Sequence, residues 1–281
     1  MNMIGKKNNK SNAASTTLRL ISFALIVAFA VLCVVSCGSD KRSKDIYILF
    51  TNDVHCAADE NIGYAGLSAY KQALEAKSKY VTLVDVGDAV QGDYVGTVSK
   101  GAFSIELMNA VGYDLAVLGN HEFDYGMEQL SSLISSSNAS YLGCNITYSG
   151  SGNTVVSQLN PYEIISYGKV DVAFIGVSTP ESITDSTPSN FMENGEFVYD
   201  FAAGADGQML YDTVQRNIDE CKEKGAEYIV ILSHLGDNSE SSPYTSLELI
   251  QNTTGVDVLL DGHAHSEIPC MILDDKDGNE V

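Results

Sequence analysis

Short apolar segments alternate with amphipathic segments along most of the chain, and this alternation constrains the fold more than any other feature. Six runs of four to eight residues have the composition of buried strands: 46–50, 81–86, 115–118, 170–177, 228–232 and 256–260. Amphipathic helices are predicted over residues 65–79, 103–111, 127–135, 209–224 and 246–252. Strands that alternate with helices predict an α/β fold with largely parallel sheets, whose ligands bind beyond the carboxyl ends of the strands. Residues 149–207 show the weakest pattern, apart from a hairpin predicted near 162–177.

The first 36 residues have the features of a lipoprotein signal peptide. Their basic residues are Lys6, Lys7, Lys10 and Arg19. The apolar run over 20–35 is shorter than the roughly 20 residues of a spanning helix, and it ends in Val-Val-Ser-Cys, which resembles a bacterial lipobox around Cys37. We therefore predict a protein exported across the bacterial cell membrane and tethered to its outer side through lipidated Cys37. An uncleaved membrane anchor is the alternative.

Residues 37–44 are predicted to form a linker, and residues 45–281 a globular domain. The formal net charge of the whole chain is −21. Without the four basic residues of the first 36, 12 basic residues face 37 acidic ones, a net charge of −25. Such a surface repels phosphate backbones, so no nucleic-acid polymer is expected as a partner. The sequence does not indicate an oligomeric state.

Four cysteines follow the signal segment and Cys37, namely Cys56, Cys144, Cys221 and Cys270. They form no Cys-x-x-Cys pair, so neither a zinc knuckle nor a dense disulfide framework is expected. We predict mostly buried free thiols, and leave open a single disulfide.

Polar residues that can carry chemistry follow five of the six predicted strands. The strand exits contain the strings TNDVH (51–55), DVGD (85–88), GNHEFD (119–124), SHLG (233–236) and DGHAH (261–265). All five histidines of the chain lie in these exits. A lone histidine after a strand is usually structural, but so complete a concentration favours a shared functional site.

The residue types in these exits are typical of a metal centre. Carboxylate, carboxamide and imidazole groups without a thiolate suit Zn²⁺, Mn²⁺ or Fe. The candidate ligands are Asp53, His55, Asp88, Asn120, His234, His263 and His265. Seven ligands are too many for one tetrahedral ion but suit two ions that share a carboxylate. The intervals of 35, 32 and 29 residues from Asp53 to Asp88, Asp88 to Asn120 and His234 to His263 each match one strand–helix–strand unit.

The order and content of these strings resemble the five signature blocks of the calcineurin-like metallophosphoesterases. The longer strings TNDVH, GDAVQGD and GNHEFDYG are similar to the branch that contains 5′-nucleotidases, UDP-sugar hydrolases and 2′,3′-cyclic nucleotide phosphodiesterases. The resemblance implies a four-layer α-β-β-α sandwich with mixed sheets. It also implies a hydrolase that acts on nucleotides or other phosphoesters with two divalent ions, Zn²⁺ or Mn²⁺.

The family pattern implies a role for each matching residue. One ion would be held by Asp53, His55, Asp88 and His265. The other would be held by Asp88, Asn120, His234 and His263, so that Asp88 bridges the two. His121 and Asp124 match the catalytic dyad, and Asn120 and His121 would bind the substrate phosphate. The alternative for His121 is a hydrogen-bonded structural histidine.

Proteins with this pattern continue beyond the last histidine pair into further strands and a substrate domain. Here 16 residues follow His265, so we expect a catalytic domain that is incomplete at its C-terminus. An inactive or poorly folded metal-binding fragment of a longer nucleotidase is therefore the alternative to an active enzyme.

Four more residues in or beside these loops have weaker indications of function. Asp85 and Asp114 could cap strand ends or orient ligands. Asp261 could hydrogen-bond a ligand imidazole. Cys56 replaces the glycine common in the family after the first histidine, and we expect it to pack inertly.

Overall fold

The computed structural model describes residues 42–281, so the predicted signal segment and Cys37 lie outside the described residues. The strands are β1 (Ser43–Thr51), β2 (Ser78–Asp85), β3 (Leu115–Val117), β4 (Ser140–Leu142), β5 (Thr147–Tyr148), β6 (Tyr162–Tyr167), β7 (Val170–Ser178), β8 (Met192–Glu193), β9 (Glu196–Phe197), β10 (Tyr199–Asp200), β11 (Tyr228–His234) and β12 (Val258–Leu260). The α-helices are α1 (Gly63–Glu75), α2 (Tyr94–Ser99), α3 (Ala102–Val111), α4 (Met127–Ser136), α5 (Ser182–Asp185), α6 (Gln208–Glu223) and α7 (Ser246–Asn252).

Two four-stranded sheets organise these elements. The first has the order β1-β2-β3-β4 and is parallel throughout. The second has the order β12-β11-β7-β6, in which β6 alone runs antiparallel to its neighbour. Parallel pairing places the ends of β1, β2 and β3 at one edge of the first sheet, and the ends of β7, β11 and β12 at one edge of the second.

The two sheets pack against each other through apolar side chains. Val84 and Leu115 of the first sheet belong to one buried cluster with Phe174 and Val230 of the second. Alternate residues of β7, such as Ile175, point the other way and pack on α6 and α7. Helices α1, α3 and α4 cover the outer face of the first sheet. The predicted four-layer α-β-β-α sandwich is thus confirmed, with one parallel sheet and one mixed sheet.

Several element boundaries differ from the sequence prediction. Strand β1 begins at Ser43, so residues 43 and 44 belong to the sheet and not to the predicted linker. The first helix ends at Glu75 instead of residue 79, because Ser78 already pairs with Ser43 across the sheet. Strand β4 and helix α2 were not predicted at all, since both are short.

The segment with the weakest sequence pattern contains the predicted hairpin, formed by β6 and β7. This segment is joined to the core by hydrogen bonds with Asn145, whose side chain is fully buried. The Asn145 Nδ2 group donates to the carbonyl oxygens of Ser178 and Phe201 at 2.8 and 3.0 Å. Its Oδ1 accepts from the Ser178 amide at 3.0 Å. One buried carboxamide therefore links the end of β7 to Phe201, the residue that follows β10.

The four described cysteines are free. Cys56 and Cys221 are buried as predicted, but Cys144 is only half-buried and Cys270 is exposed. None of the helices within residues 42–281 is both long and apolar enough to cross a bilayer.

Candidate metal centre

The polar residues that follow β1, β2, β3, β11 and β12 meet where the two sheets end. Five of the seven predicted ligands have positive φ angles there: Asp53 (49°), His55 (48°), Asp88 (59°), His263 (78°) and His265 (52°). Positive φ is uncommon for residues other than glycine and costs roughly 1–3 kcal/mol each when it is imposed by the surroundings. Backbone strain at so many positions of one cluster is typical of a functional site, where the required side-chain directions outweigh the cost of the strained backbone.

One group of candidate ligand atoms comes from Asp53, His55 and His265. The Nε2 atoms of His55 and His265 lie 3.1 Å apart, and His265 Nε2 is 3.7 Å from Asp53 Oδ1. The other ring nitrogen of His55, Nδ1, lies 3.0 Å from the Gln91 carbonyl oxygen. A carbonyl oxygen only accepts, so Nδ1 must carry the hydrogen in this hydrogen bond. That hydrogen bond leaves the Nε2 lone pair of neutral His55 directed into the group.

The second group comes from Asp88, His234 and His263. His234 is fully buried, and its Nδ1 donates to the Val86 carbonyl oxygen at 2.7 Å. Its Nε2 lies 3.1 Å from Asp88 Oδ2 without hydrogen-bonding geometry, and this buried nitrogen has no hydrogen-bond partner. This nitrogen therefore faces a carboxylate, and a metal cation bound to both groups would satisfy them.

The Asp88 carboxylate lies between the two groups. Its Oδ2 is 3.1 Å from His234 Nε2 and 3.9 Å from His55 Nε2. The predicted ligand Asn120 is close by, since its Oδ1 lies 2.9 Å from His263 Nδ1. All seven predicted ligands are therefore brought together. Oxygen and imidazole donors without a thiolate fit two divalent ions.

The electrostatics of the site favour positive charge. Burial alone would raise the pKa of Asp88, but the adjacent His234 holds it well below its usual range. Burial alone would lower the pKa of His234, but the carboxylates of Asp88 and Asp53 raise it to about 9. A site that favours a buried proton to this degree also favours a metal cation.

Two glycines allow the loops to approach this closely. A Cβ on Gly119 would lie 2.2 Å from Asp88 Oδ1 and 2.7 Å from His234 Nε2. Gly87 has a φ of 102°, and a Cβ there would lie 2.6 Å from His234 Nδ1. Any other residue at either position would displace a predicted ligand.

The predicted dyad is formed beside the metal groups. His121 Nδ1 lies 2.7 Å from Asp124 Oδ2, and Asp124 Oδ1 accepts from Ser186 Oγ at 2.7 Å. The hydrogen bond to Asp124 raises the pKa of His121 although burial opposes this. The His121 and His55 rings are 5.3 Å apart. His121 is thus an oriented imidazole next to the candidate ligands of the first group.

Glu122 is a structural component of the site to which the sequence analysis gave no role. Its Oε2 accepts from the amides of Asp88 and Gly119 at 2.8 and 2.6 Å. Its Oε1 accepts from the amides of Ala89 and Val90 at 2.8 and 3.3 Å. The side chain is buried, so one carboxylate fixes the loops after β2 and β3 relative to each other. The only signal in the sequence was a charged residue inside the GNHE string.

We expect Glu122→Gln to lower the free energy of unfolding by about 2–4 kcal/mol, because an amide NH₂ would then face backbone N–H donors with no acceptor between them. Urea denaturation of the chelator-treated chain measures the change. Glu106→Gln, at an exposed position on α3, serves as the matched control and should change stability by less than about 0.5 kcal/mol. Equal stability of the two variants would contradict this role for Glu122.

Asp85 and Asp114 lie at strand ends and accept hydrogen bonds there. Asp85 accepts from Thr51 Oγ1 at 2.6 Å and from the Gly87 amide at 3.0 Å, and burial raises its pKa to about 8. Asp114 Oδ2 accepts from the Leu83 amide at 2.8 Å. Both therefore have the strand-capping role that was one of the two expectations.

Two other expectations concern Asp261 and Cys56. Asp261 Oδ1 accepts from the amides of Leu235 and Gly236, at 3.1 and 3.3 Å. The prediction that Asp261 contacts a ligand imidazole was wrong, because the carboxylate holds the loop after β11 through its backbone. Cys56 is buried, with its Sγ 3.1 Å from Ser104 Oγ, and burial raises its thiol pKa, as expected for an inert packing residue.

Comparison with known proteins shows the family of the chain. Residues 46–267 match the calcineurin-like phosphoesterase family, and the chain belongs to that family. The 5′-nucleotidase of Bos taurus is 30% identical over 242 residues, which cover 80% of this chain and 39% of the relative. The probable 5′-nucleotidase of Treponema pallidum is 28% identical over 270 residues, which cover 88% of this chain and 42% of the relative.

A solved structure shares the fold. The 5′-nucleotidase precursor from Thermus thermophilus superimposes with a TM-score of 0.68 at 24% identity, over 84% of this chain and 47% of that chain. This chain therefore spans less than half the length of these three proteins.

Proposed function

We propose that the domain is a phosphoester hydrolase that uses two divalent metal ions and acts on nucleotides in the manner of a 5′-nucleotidase. The observation that carries the proposal is the buried His234 Nε2 without a hydrogen-bond partner, beside Asp88 and within a cluster of seven oxygen and nitrogen ligands. The similarity to 5′-nucleotidases supports nucleotides as the substrate class. Two alternative substrate classes, 2′,3′-cyclic nucleotides and nucleotide sugars, would use the same centre.

In this proposal four side chains would hold each ion. Asp53, His55 and His265 would hold the first ion together with Asp88, and Asp88, His234 and His263 would hold the second together with Asn120. The donor types fit Zn²⁺ and Mn²⁺ equally well. When bound, two such ions activate a water at neutral pH and neutralise phosphoryl oxygens.

The chain's own residues provide the remaining chemistry. His121 is bonded to Asp124 through Nδ1, so its Nε2 can hold the proton that goes to the leaving-group oxygen or balances negative charge in the transition state. The Asn120 carboxamide and His121 are the proposed contacts to the substrate phosphate. Arg216 is engaged on α6 with the Asp212 carbonyl and Thr213, so it is not part of this contact.

The proposal predicts metal-dependent release of phosphate from AMP by residues 37–281. Chelator-treated chain should be inactive, and Mn²⁺ or Zn²⁺ should restore turnover, because the proposed chemistry needs the cations to activate water and to neutralise phosphoryl oxygens. A 2′,3′-cyclic nucleotide, a UDP-sugar and an aryl phosphate, assayed in parallel, establish which substrate class is preferred. If no substrate is hydrolysed faster than by an Asp88→Ala variant, the proposal is wrong.

A second candidate is a module that binds both metals without turnover. It is favoured by the exposed apolar side chains beside β12, namely Phe50, Val258, Ile268, Met271 and Ile272. The free edge of β12 lies there, since β12 pairs with β11 alone among the described strands. Binding of two ions without hydrolysis, together with aggregation of the purified chain, would support this candidate.

We also propose that the domain works outside the cytoplasm, tethered by lipid on Cys37. The support is the sequence pattern of residues 1–37, which lies outside the described residues.

A further inference from the structure

Glu181 lies next to the metal centre on a segment that no sequence motif marks. It follows β7, whose last residue, Ser178, pairs with His234 in the second sheet. The Glu181 carboxylate Oε2 is 3.3 Å from Nε2 of His263, and both side chains are largely removed from solvent, at 25% and 13% exposure. A predicted metal ligand therefore has a carboxylate partner behind it.

The opposite nitrogen of the same ring lies on the metal side. His263 Nδ1 is 2.9 Å from Asn120 Oδ1, and both atoms belong to proposed ligands of the second ion. Two adjacent ligand atoms at about 2.1 Å from one ion are separated by about 3 Å, which matches this distance. The imidazole of His263 is thus placed to offer its Nδ1 lone pair to the ion while Nε2 keeps its hydrogen.

Two of the three other proposed ligand histidines, His55 and His234, show the same arrangement with an uncharged acceptor. In both residues Nδ1 is the nitrogen that points away from the proposed ion. It donates its hydrogen to the Gln91 carbonyl in His55 and to the Val86 carbonyl in His234. His263 instead has an ionisable side chain at this place. A carboxylate behind a ligand imidazole fixes its tautomer and orientation and increases its basicity.

We propose that Glu181 is a positioning residue for the second metal site: it accepts the Nε2 hydrogen of His263 and thereby directs Nδ1 to the ion. This inference rests on the proposed function, because it concerns an ion that the proposal assigns to this centre.

The segment that carries Glu181 is itself well fixed. The Glu181 amide donates to Thr179 Oγ1 at 3.2 Å, and the Glu181 carbonyl accepts from the amides of Thr184 and Asp185 at 2.8 Å each. Thr179 is fully buried. The carboxylate is therefore presented from a rigid turn, as a positioning group needs to be.

The experiment is a titration of the chelator-treated full domain with Mn²⁺, followed by competition with a chromogenic chelator, without any substrate. We expect the unaltered chain to bind two ions, and Glu181→Ala to bind one of them about 10–100-fold more weakly. Glu181→Gln retains an oxygen that can accept the Nε2 hydrogen, so it should recover part of the affinity. Glu223→Gln, at an exposed position on α6, and Ser186→Ala, on the same turn segment but bonded to Asp124, should both bind two ions as the unaltered chain does.

A second readout reports the tautomer directly. In the Zn²⁺-loaded chain, ¹⁵N NMR of the histidine side chains should show His263 with its hydrogen on Nε2, and this slowly exchanging signal should be lost in Glu181→Ala. Equal melting temperatures of the chelator-treated variants would show that the fold is intact.

The outcomes separate the two proposals. If the unaltered chain binds no metal, the proposed function fails and this inference fails with it. If the unaltered chain binds two ions and Glu181→Ala binds both equally tightly, only the inference is overturned. The inference is also overturned if the variant loses a third, additional ion, since Glu181 and Asp185 would then be ligands themselves.

Discussion

Asp88→Asn is expected to lower kcat for phosphate release by on the order of 10³-fold or more, about 4 kcal/mol of transition-state stabilisation. The Asp88 side chain is buried and its two oxygens have different tasks. Oδ1 accepts from the His121 amide at 2.9 Å, while Oδ2 faces His234 and His55 at 3.1 and 3.9 Å. An amide nitrogen in place of Oδ2 removes both the negative charge and the lone pairs that two cations would share.

The loss of activity in Asp88→Asn should result from weaker metal binding, which analysis of the bound metal can measure. After dialysis against micromolar Mn²⁺, the unaltered chain should retain two ions and Asp88→Asn fewer than two. Asp219→Asn, on the exposed face of α6, makes the same chemical change away from the site and should retain both ions and full activity. If Asp88→Asn keeps two ions and near-normal kcat, Asp88 is not the bridging ligand.

The clustering of the seven candidate ligands could be predicted because each of them follows, or ends, a strand that its own local pattern identifies. Buried strands such as β2 and β11 are recognisable from their Val and Ile content, and parallel strands must end at the same edge. Asp88 and Asn120 are therefore expected at one edge of the first sheet, and His234 and His263 at one edge of the second. The two edges meet because the sheets pack face to face, as the apolar cluster shared by the two sheets shows.

The residues that hold the ligands could not be predicted in the same way. Glu122 has its role because four amides of two different loops converge on it, and no local pattern reports that convergence. Glu181 lies in the segment with the weakest periodicity, and its partner His263 is 82 residues away. A carboxylate that accepts hydrogen bonds and one that is merely solvated look alike in a sequence.

The errors in element boundaries have a related cause. Residues 76–79 continue the helical pattern of α1, but Ser78 is drawn into the sheet by pairing with Ser43, and its Oγ donates to the Ser43 carbonyl at 3.3 Å. Strand β4 has three residues, too few to show a period, and is held by its partners in β3. Tertiary pairing outweighs local propensity in both places.

Asp124→Asn is the second substitution expected to have a large effect, with kcat lowered about 10²- to 10⁴-fold while both metal ions stay bound. Asp124 Oδ2 is 2.7 Å from His121 Nδ1, and this hydrogen bond raises the pKa of His121. The carboxylate thus favours the protonated imidazole, which is the form we propose to be active. An amide at position 124 orients the ring less well and no longer stabilises its positive charge.

The pH dependence of kcat/KM should shift in a definite direction in Asp124→Asn. If protonated His121 is needed, activity declines as the pH rises through the raised pKa of His121, so the alkaline limb of kcat/KM reports that group. In Asp124→Asn the pKa falls back toward its ordinary value of about 6.5, and the alkaline limb should move to lower pH. Glu128→Gln, at an exposed position on the following helix, should leave the profile unchanged. An alkaline limb in the same position in Asp124→Asn and in the unaltered chain would exclude His121 as the titrating group, and the acid would then have to be sought among the groups that contact the leaving-group oxygen.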